Sequence, residues 1–188
     1  MATGLETQQE QTSGLTEDEF FDHPDCERYE LVDGKMKERG MSYESAWISN
    51  KVAFAFTSFA EKSGGQTCGD GAEFRCFGKE GRNIRKPDAT YIRPGRMVDI
   101  PRSACEVVPD ILVEVVSPND RVFDLHEKLK TYRAAAVPVV VVIYPDSRTA
   151  EIRHRESVTT IGEEETITFP DQMPGFELRL ADVLPPVA

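Results

Sequence analysis

Pro109-Asp110-Ile111-Leu112-Val113-Glu114-Val115-Val116-Ser117-Pro118 decides how this chain folds. Five of the eight residues between its prolines are Ile, Leu or Val, the composition of a strand buried on both faces. Strand side chains alternate, so Asp110, Leu112, Glu114 and Val116 face one way and Ile111, Val113 and Val115 the other. A carboxylate inside such a strand costs several kcal/mol unless it is paired or bound to a cation. Glu114 therefore needs a neighbouring Arg or Lys, or a metal ion. Position alone does not choose between the two.

The residues after this strand set the topology. Asn119 or Asp120 is placed to cap a helix running to about Ala136, with Val122, Leu125, Leu129, Tyr132 and Ala136 as its apolar stripe. Asp124, Lys128 and Tyr132 are spaced i, i+4, i+8 and share a side next to that stripe. Val137-Pro138-Val139-Val140-Val141-Val142-Ile143 is a second apolar strand. Strand, helix, strand over 111–144 is a βαβ crossover, so the two strands are expected to be parallel neighbours.

Upstream, Thr16-Glu17-Asp18-Glu19 has capping-box spacing for a short helix ended by Pro24. Arg28-Tyr29-Glu30-Leu31-Val32, Asp33-Gly34 and Lys35-Met36-Lys37 predict a hairpin with an Asp-Gly turn and Glu30 on its first strand. By itself, Glu30 reads most simply as an exposed strand carboxylate. Ala46, Ile48, Val52, Ala53, Phe56, Phe59 and Ala60 recur at helical spacing over 42–62, and Ser63-Gly64-Gly65 stops that helix. Gln66 to Phe77 reads as two short strand pieces around Gly69-Asp70-Gly71. Arg85 to Ile92 is a strand entered through Pro87, with Asp88 near its start. Downstream, Ala150–Arg155 alternates as an outer strand. Short peripheral strands follow at 157–161, 166–169 and 177–180, and 180–184 closes with a helical turn.

Composition narrows the class. With 188 residues the chain is expected to form an N-terminal arm, 1–14, that is disordered, and a single α/β domain over 15–188. Lys plus Arg total 22 against 33 Asp plus Glu, a net charge of −11, which argues against a protein held to nucleic acid by bulk charge alone. A local basic face remains open, drawn from Arg75, Lys79, Arg82, Arg85, Lys86, Arg93, Arg96 and Arg102. Cys26, Cys68, Cys76 and Cys105 lack any CxxC spacing and no secretory leader is evident, so they read as free thiols in a reducing cytoplasm. Scattered Cys and His argue against zinc. No apolar run reaches the roughly 20 residues a bilayer span needs.

Asp88, Glu114 and Lys128 form an ordered constellation: an acid at a strand start, an acid on a central strand and an amine on the next helix. Two carboxylates can hold Mg²⁺, which prefers oxygen and keeps several waters. An ammonium beside them can orient water or neutralise charge developing on a phosphate. The order Pro87-Asp88 … Glu114-Val115-Val116 resembles the PD-(D/E)XK nuclease pattern, with Val116 where its lysine is expected and Lys128 as a lysine migrated to the following helix.

The resemblance is closer to one bacterial branch, the Uma-type restriction endonucleases. It rests on Arg28–Gly34, Lys86-Pro87-Asp88, Pro109–Pro118, Asp124–Tyr132 and Pro174-Gly175-Phe176-Glu177-Leu178, in that order along 15–184. It implies a restriction-endonuclease-like core, a mixed sheet flanked by helices with the site at its edge. It implies Asp88 and Glu114 as metal ligands, Lys128 as the catalytic lysine and Glu30 as a further acid near the metal. Lys130 and Lys86 are rival lysines. The implied activity is Mg²⁺-dependent cleavage of DNA, with Mn²⁺ as an alternative ion. A homodimer is compatible with double-strand cleavage but has no direct sign in the sequence. Two other readings stand beside it: a nuclease-fold module with little or no catalysis that acts through protein partners, and a hydrolase of a small phosphate ester.

Overall fold

The computed structural model describes residues 14–78 and 81–186. The predicted arm over 1–14 therefore lies, but for Gly14, outside the described residues.

The central sheet has six strands in the order β3-β4-β5-β6-β7-β8. These are β3 (Gln66–Gly69), β4 (Ala89–Ile92), β5 (Ile111–Val115), β6 (Val139–Tyr144), β7 (Thr149–His154) and β8 (Val158–Gly162). β5 and β6 are parallel, in register from Ile111–Val139 to Val115–Ile143, and the other neighbours are antiparallel. Helix α3 (Val122–Ala134) makes the crossover that the sequence predicts. The sheet is thus mixed, and β7 lies inside it, with β8 at the edge instead.

Alternation along β5 sends its residues into two separate cores. Ile111, Val113 and Val115 pack with Val139, Val141 and Ile143 against Ile48, Val52, Phe56 and Ala60 of α2 (Tyr43–Ser63). Helix α2 is capped at Ser42, whose hydroxyl accepts from the Ser45 N–H, and ends at Gly64 in the left-handed region. A second hairpin, β9 (Thr166–Phe169) with β10 (Met173–Arg179), completes this side, with Phe169 and Phe176 packed against Phe56. On the other face Leu112, Val140 and Val142 pack with Tyr132, Leu125 and Leu129 of α3 and with Phe77.

The first hairpin, β1 (Tyr29–Val32) and β2 (Lys35–Glu38), is a separate two-stranded sheet. Its Asp33-Gly34 turn has φ of 49° and 80°, the doubly left-handed geometry that an Asp-Gly pair favours. Leu31 bridges Ile84, and with Phe20 of α1 (Glu17–Phe21) they form a third small core.

Several local expectations change. The second piece of 66–77 is no strand: Phe74 makes isolated bridges to Arg85 and Cys105. Strand β4 starts at Ala89, after Asp88 rather than before it. Helix α3 begins after Arg121 with no side-chain cap, because Asp120 is used elsewhere: its carboxylate accepts the Ser117 N–H at 2.8 Å and closes the loop. Val122, placed on the apolar stripe, is 82% exposed, because the stripe meets the sheet only from Leu125 onward.

Candidate active site

Glu114 is the fourth residue of β5, 5% exposed, and faces α3 as its alternation requires. Both its oxygens are engaged by that helix. Lys128 Nζ donates to Oε2 at 2.8 Å and Tyr132 Oη donates to Oε1 at 2.6 Å. The i, i+4 spacing brings both donors onto one carboxylate, one turn apart. Asp124, one turn earlier, does not join them; with Glu127 it pairs with Lys37 of β2.

Asp88 comes to the same place from the neighbouring strand. Its N–H donates to the Val113 carbonyl and its Oδ2 accepts the Val115 N–H at 2.6 Å. It is thereby fastened to the residues on either side of Glu114. Its own carbonyl accepts from Ser49 Oγ on α2 at 2.8 Å. A side chain thus takes the Val115 N–H just before the regular pairing of β4 begins at Ala89.

Glu30 arrives from the separate hairpin and is 3% exposed, so the surface-carboxylate reading of it fails. Arg85 Nη1 and the Lys86 N–H donate to it at 3.1 and 2.9 Å, and Lys128 Nζ lies 3.5 Å away. Lys128 thus bridges Glu30 and Glu114. The rival lysines are elsewhere. Lys86 is buried and donates to the carbonyls of Cys26 and Glu27, and Lys130 is exposed on the far side of α3.

The charge states follow from this packing. Burial alone would discharge Lys128, but Glu114, Glu30 and Asp88 outweigh it and hold its pKa above the ordinary lysine value. Lys128 is therefore a fixed cation and no proton acceptor. Burial also raises Glu30, yet Lys128, Arg85 and the Lys86 N–H overcome it and lower its pKa, keeping it anionic. For Asp88, burial and then the Glu114 charge push the pKa up to about 8, against Lys128, the Val115 N–H and Arg39. Tyr132 is driven well above its usual value, by burial first and Glu114 next, and stays a neutral donor.

Two neighbouring acids that cannot both ionise comfortably are what a divalent cation relieves. Asp88 Oδ1 accepts no hydrogen bond from the described residues, and a carboxylate with two donors, such as Glu114, keeps lone pairs for a cation. No cluster of three or more His, Cys, Asp or Glu among the described residues is arranged to hold a metal. Mg²⁺ commonly uses one or two carboxylates plus waters, so this donor set fits Mg²⁺ and not zinc.

Glu30, Asp88, Glu114 and Lys128 line one cleft of about 890 Å³ between the first hairpin and the start of α3. Charged side chains dominate its walls, including Arg28, Lys37, Arg39 and Arg121. Among the described residues, most of the basic face expected from 75–102 is engaged elsewhere, while Arg102 is exposed. Arg85 and Lys86 are buried, Arg93 and Arg96 pair with the fully buried Asp110, Arg75 pairs with Glu17, and Lys79 lies outside the described residues. Sequence reasoning missed Arg39, Ser49 and the bond from Tyr132 to Glu114. Only the last had a signal, Tyr132 lying four residues after Lys128.

No curated protein matches the chain. A structural match is the crystal structure of a "putative nuclease belonging to DUF820" from Anabaena variabilis ATCC 29413. It is 16% identical, covers 90% of this chain and 97% of that one, and superposes with a TM-score of 0.72. The two share a fold. The Uma2 family model, described as "Putative restriction endonuclease", matches residues 17–181, so this chain belongs to that family.

Proposed function

We propose that the protein is a Mg²⁺-dependent endonuclease that hydrolyses DNA phosphodiester bonds in the cleft. One observation carries the reading: Lys128 bridges Glu30 and Glu114 while Asp88 is fastened to the residues flanking Glu114. Asp88 and Glu114 would hold the ion. Bound there, Mg²⁺ supplies a more acidic water and charge compensation on the phosphate. Lys128, kept protonated by its acids, gives a fixed positive charge at the place where the phosphate becomes more negative. Glu30 holds Lys128 from behind, and Arg85 and the Lys86 N–H hold Glu30. Tyr132 fixes the Glu114 rotamer from the helix. Mn²⁺ would satisfy the same oxygen donors.

The test is incubation of the purified protein with plasmid and single-stranded DNA in MgCl₂ or MnCl₂. Wild type should cut, EDTA should stop it, and Glu114→Ala should lower the rate by at least about 10²-fold. Equal cutting by Glu114→Ala would remove this site from the reaction.

The closed network around Glu114 favours one rival, a non-catalytic module of the same fold. Both Glu114 oxygens already have partners from this chain. Calorimetry showing no Mg²⁺ or Mn²⁺ uptake at millimolar metal, with no DNA binding at low salt, would make that rival the better account.

A further inference from the structure

Eight large apolar side chains stand exposed among the described residues, and four of them flank the cleft: Met41 and Tyr43 at the start of α2, Val122 and Phe123 at the start of α3. Single exposed apolar residues are ordinary, but half of the set gathered on two segments that line one cleft is not. The two segments meet at one end of it, where a Cβ on Gly40 would stand 2.5 Å from Asp120 Oδ1. Phe123 is 74% exposed and Tyr43 89%. Neither belongs to any of the three cores, and neither ring meets another ring among the described residues. Phe123 lies one turn before Glu127, which pairs with Lys37 of β2, so its ring stands on the hairpin side of α3. Arg121 is exposed, lines the cleft and pairs with no acid among the described residues. Other cations there are spent on acids: Arg28 on Glu38, Lys37 on Asp124, Arg39 on Asp70 and Lys128 on Glu114.

Free positive charge is therefore scarce, on a chain of net charge −11, and phosphate contacts alone hold nucleic acid weakly. An aromatic ring standing in water beside the cleft offers a second source of affinity, stacking on a nucleobase, which is worth about 5- to 150-fold per base and tolerates any sequence. Bases inside a duplex already stack on their neighbours, so the ring needs an unpaired one. We propose that the cleft takes nucleic acid as an unpaired strand, with Phe123 and Tyr43 stacking on its bases at this end and Arg121 holding the adjoining phosphate. This rests on the nuclease reading of the cleft and names the form of DNA it accepts. The two rings bind and orient the strand and take no part in the hydrolysis.

Binding is read by anisotropy across a NaCl series in EDTA, with labelled oligonucleotides of one length: a single strand, the same strand without its bases, and the duplex. Melting curves establish that each variant is folded. Wild type should bind the single strand at least about tenfold more tightly than either alternative. Phe123→Ala should lose about tenfold on the single strand, with the salt slope unchanged, and nothing on the abasic strand. Phe123→Trp should keep the affinity, and Phe123→Leu, apolar but ringless, should not. Tyr43→Ala should lose a few-fold, again only where bases are present. Arg121→Gln should reduce the slope by about 1 with or without bases.

Equal affinity for the single strand and its abasic form would overturn the proposal, as would tighter binding of the duplex or unchanged single-strand binding in Phe123→Ala. Sedimentation of wild type and Phe123→Ala covers the rival occupant: a dimer that the substitution dissolves, with single-strand binding intact, would make this rim an interface between copies of the chain. If wild type cuts duplex DNA through Glu114 while Phe123→Ala binds and cuts as wild type, the stacking rim fails and the nuclease reading stands. If the single strand binds through its bases yet neither Mg²⁺ nor Mn²⁺ brings cutting, the nuclease reading fails and the rim stands. No binding of any oligonucleotide would sink both.

Discussion

Asp88 is the residue whose chemistry is most altered by folding. Its pKa rises to about 8 in the metal-free protein, from burial and then from Glu114. In the unfolded chain it returns to the ordinary aspartate range near 4. The folded state therefore binds the extra proton between those values, and stability falls as pH rises from about 4 to about 8 before levelling. Asp88→Asn, always neutral, escapes this. In EDTA the variant should match wild type near pH 4 and exceed it at pH 8.5, the gap growing by about 1 kcal/mol per pH unit in mid-range. Saturating MgCl₂ should close the gap, because the ion binds only the ionised wild-type site. Denaturant melts at several pH values check this, and a gap independent of pH would mean Asp88 is ionised throughout. At this scale the sequence was informative about identity and weak about partners. It singled out Glu114 because an acid in an apolar strand must be compensated, Asp88 and Lys128 by their order around it, and Glu30 only through the family resemblance. It could not say that Glu30 is buried or that Arg85 is its counter-ion, since those two meet only through tertiary packing.

Among the elements, the first hairpin and α3 do the positioning. The hairpin depends on its turn. Gly34 has φ of 80°, and a Cβ there would come 2.9 Å from the Gly14 Cα. Gly34→Ala should cost about 1–2 kcal/mol from backbone strain alone, read by urea titration. On the proposed function it should also weaken DNA cleavage, since the hairpin carries Glu30. A variant as stable as wild type would mean that the turn relaxes. Ser42→Ala at the start of α2 is the contrasting case: about 1 kcal/mol of stability lost, with the site untouched. Elements were legible wherever one period or one turn motif governed the residues. The Asp-Gly hairpin, α2 and the β5-α3-β6 crossover all follow from such local rules. The start of α3 did not, because Asp120 caps its own loop instead of the helix. The first strand piece of 66–88 is present as β3, but 70–88 was not legible for a related reason: Phe74, Ile84 and Arg85 make isolated bridges, with Cys105 and Leu31 among their partners, that leave no periodic trace.

For the whole molecule, a net charge of −11 meets a cleft whose cations are mostly paired. On the proposed function, DNA is held by few contacts. Even with Arg28, Lys37, Arg39 and Arg121 all turned to phosphates, the logarithm of its affinity should fall with that of salt with a slope of at most about 4. Anisotropy titrations across a NaCl series would show it, and a slope near 10 would reveal a basic surface other than this cleft. The architecture also divides the site between two bodies of structure. Glu114 and Lys128 belong to the central sheet and its crossover helix, whereas Glu30 rides on a two-stranded sheet tied back through Leu31–Ile84, Glu30–Arg85 and the Lys37 pair on α3. Such a flap can lift while the main body stays folded. Competence then becomes a property of docking: warming or mild urea should silence the protein well before its helices melt, leaving a native-looking spectrum on an idle molecule.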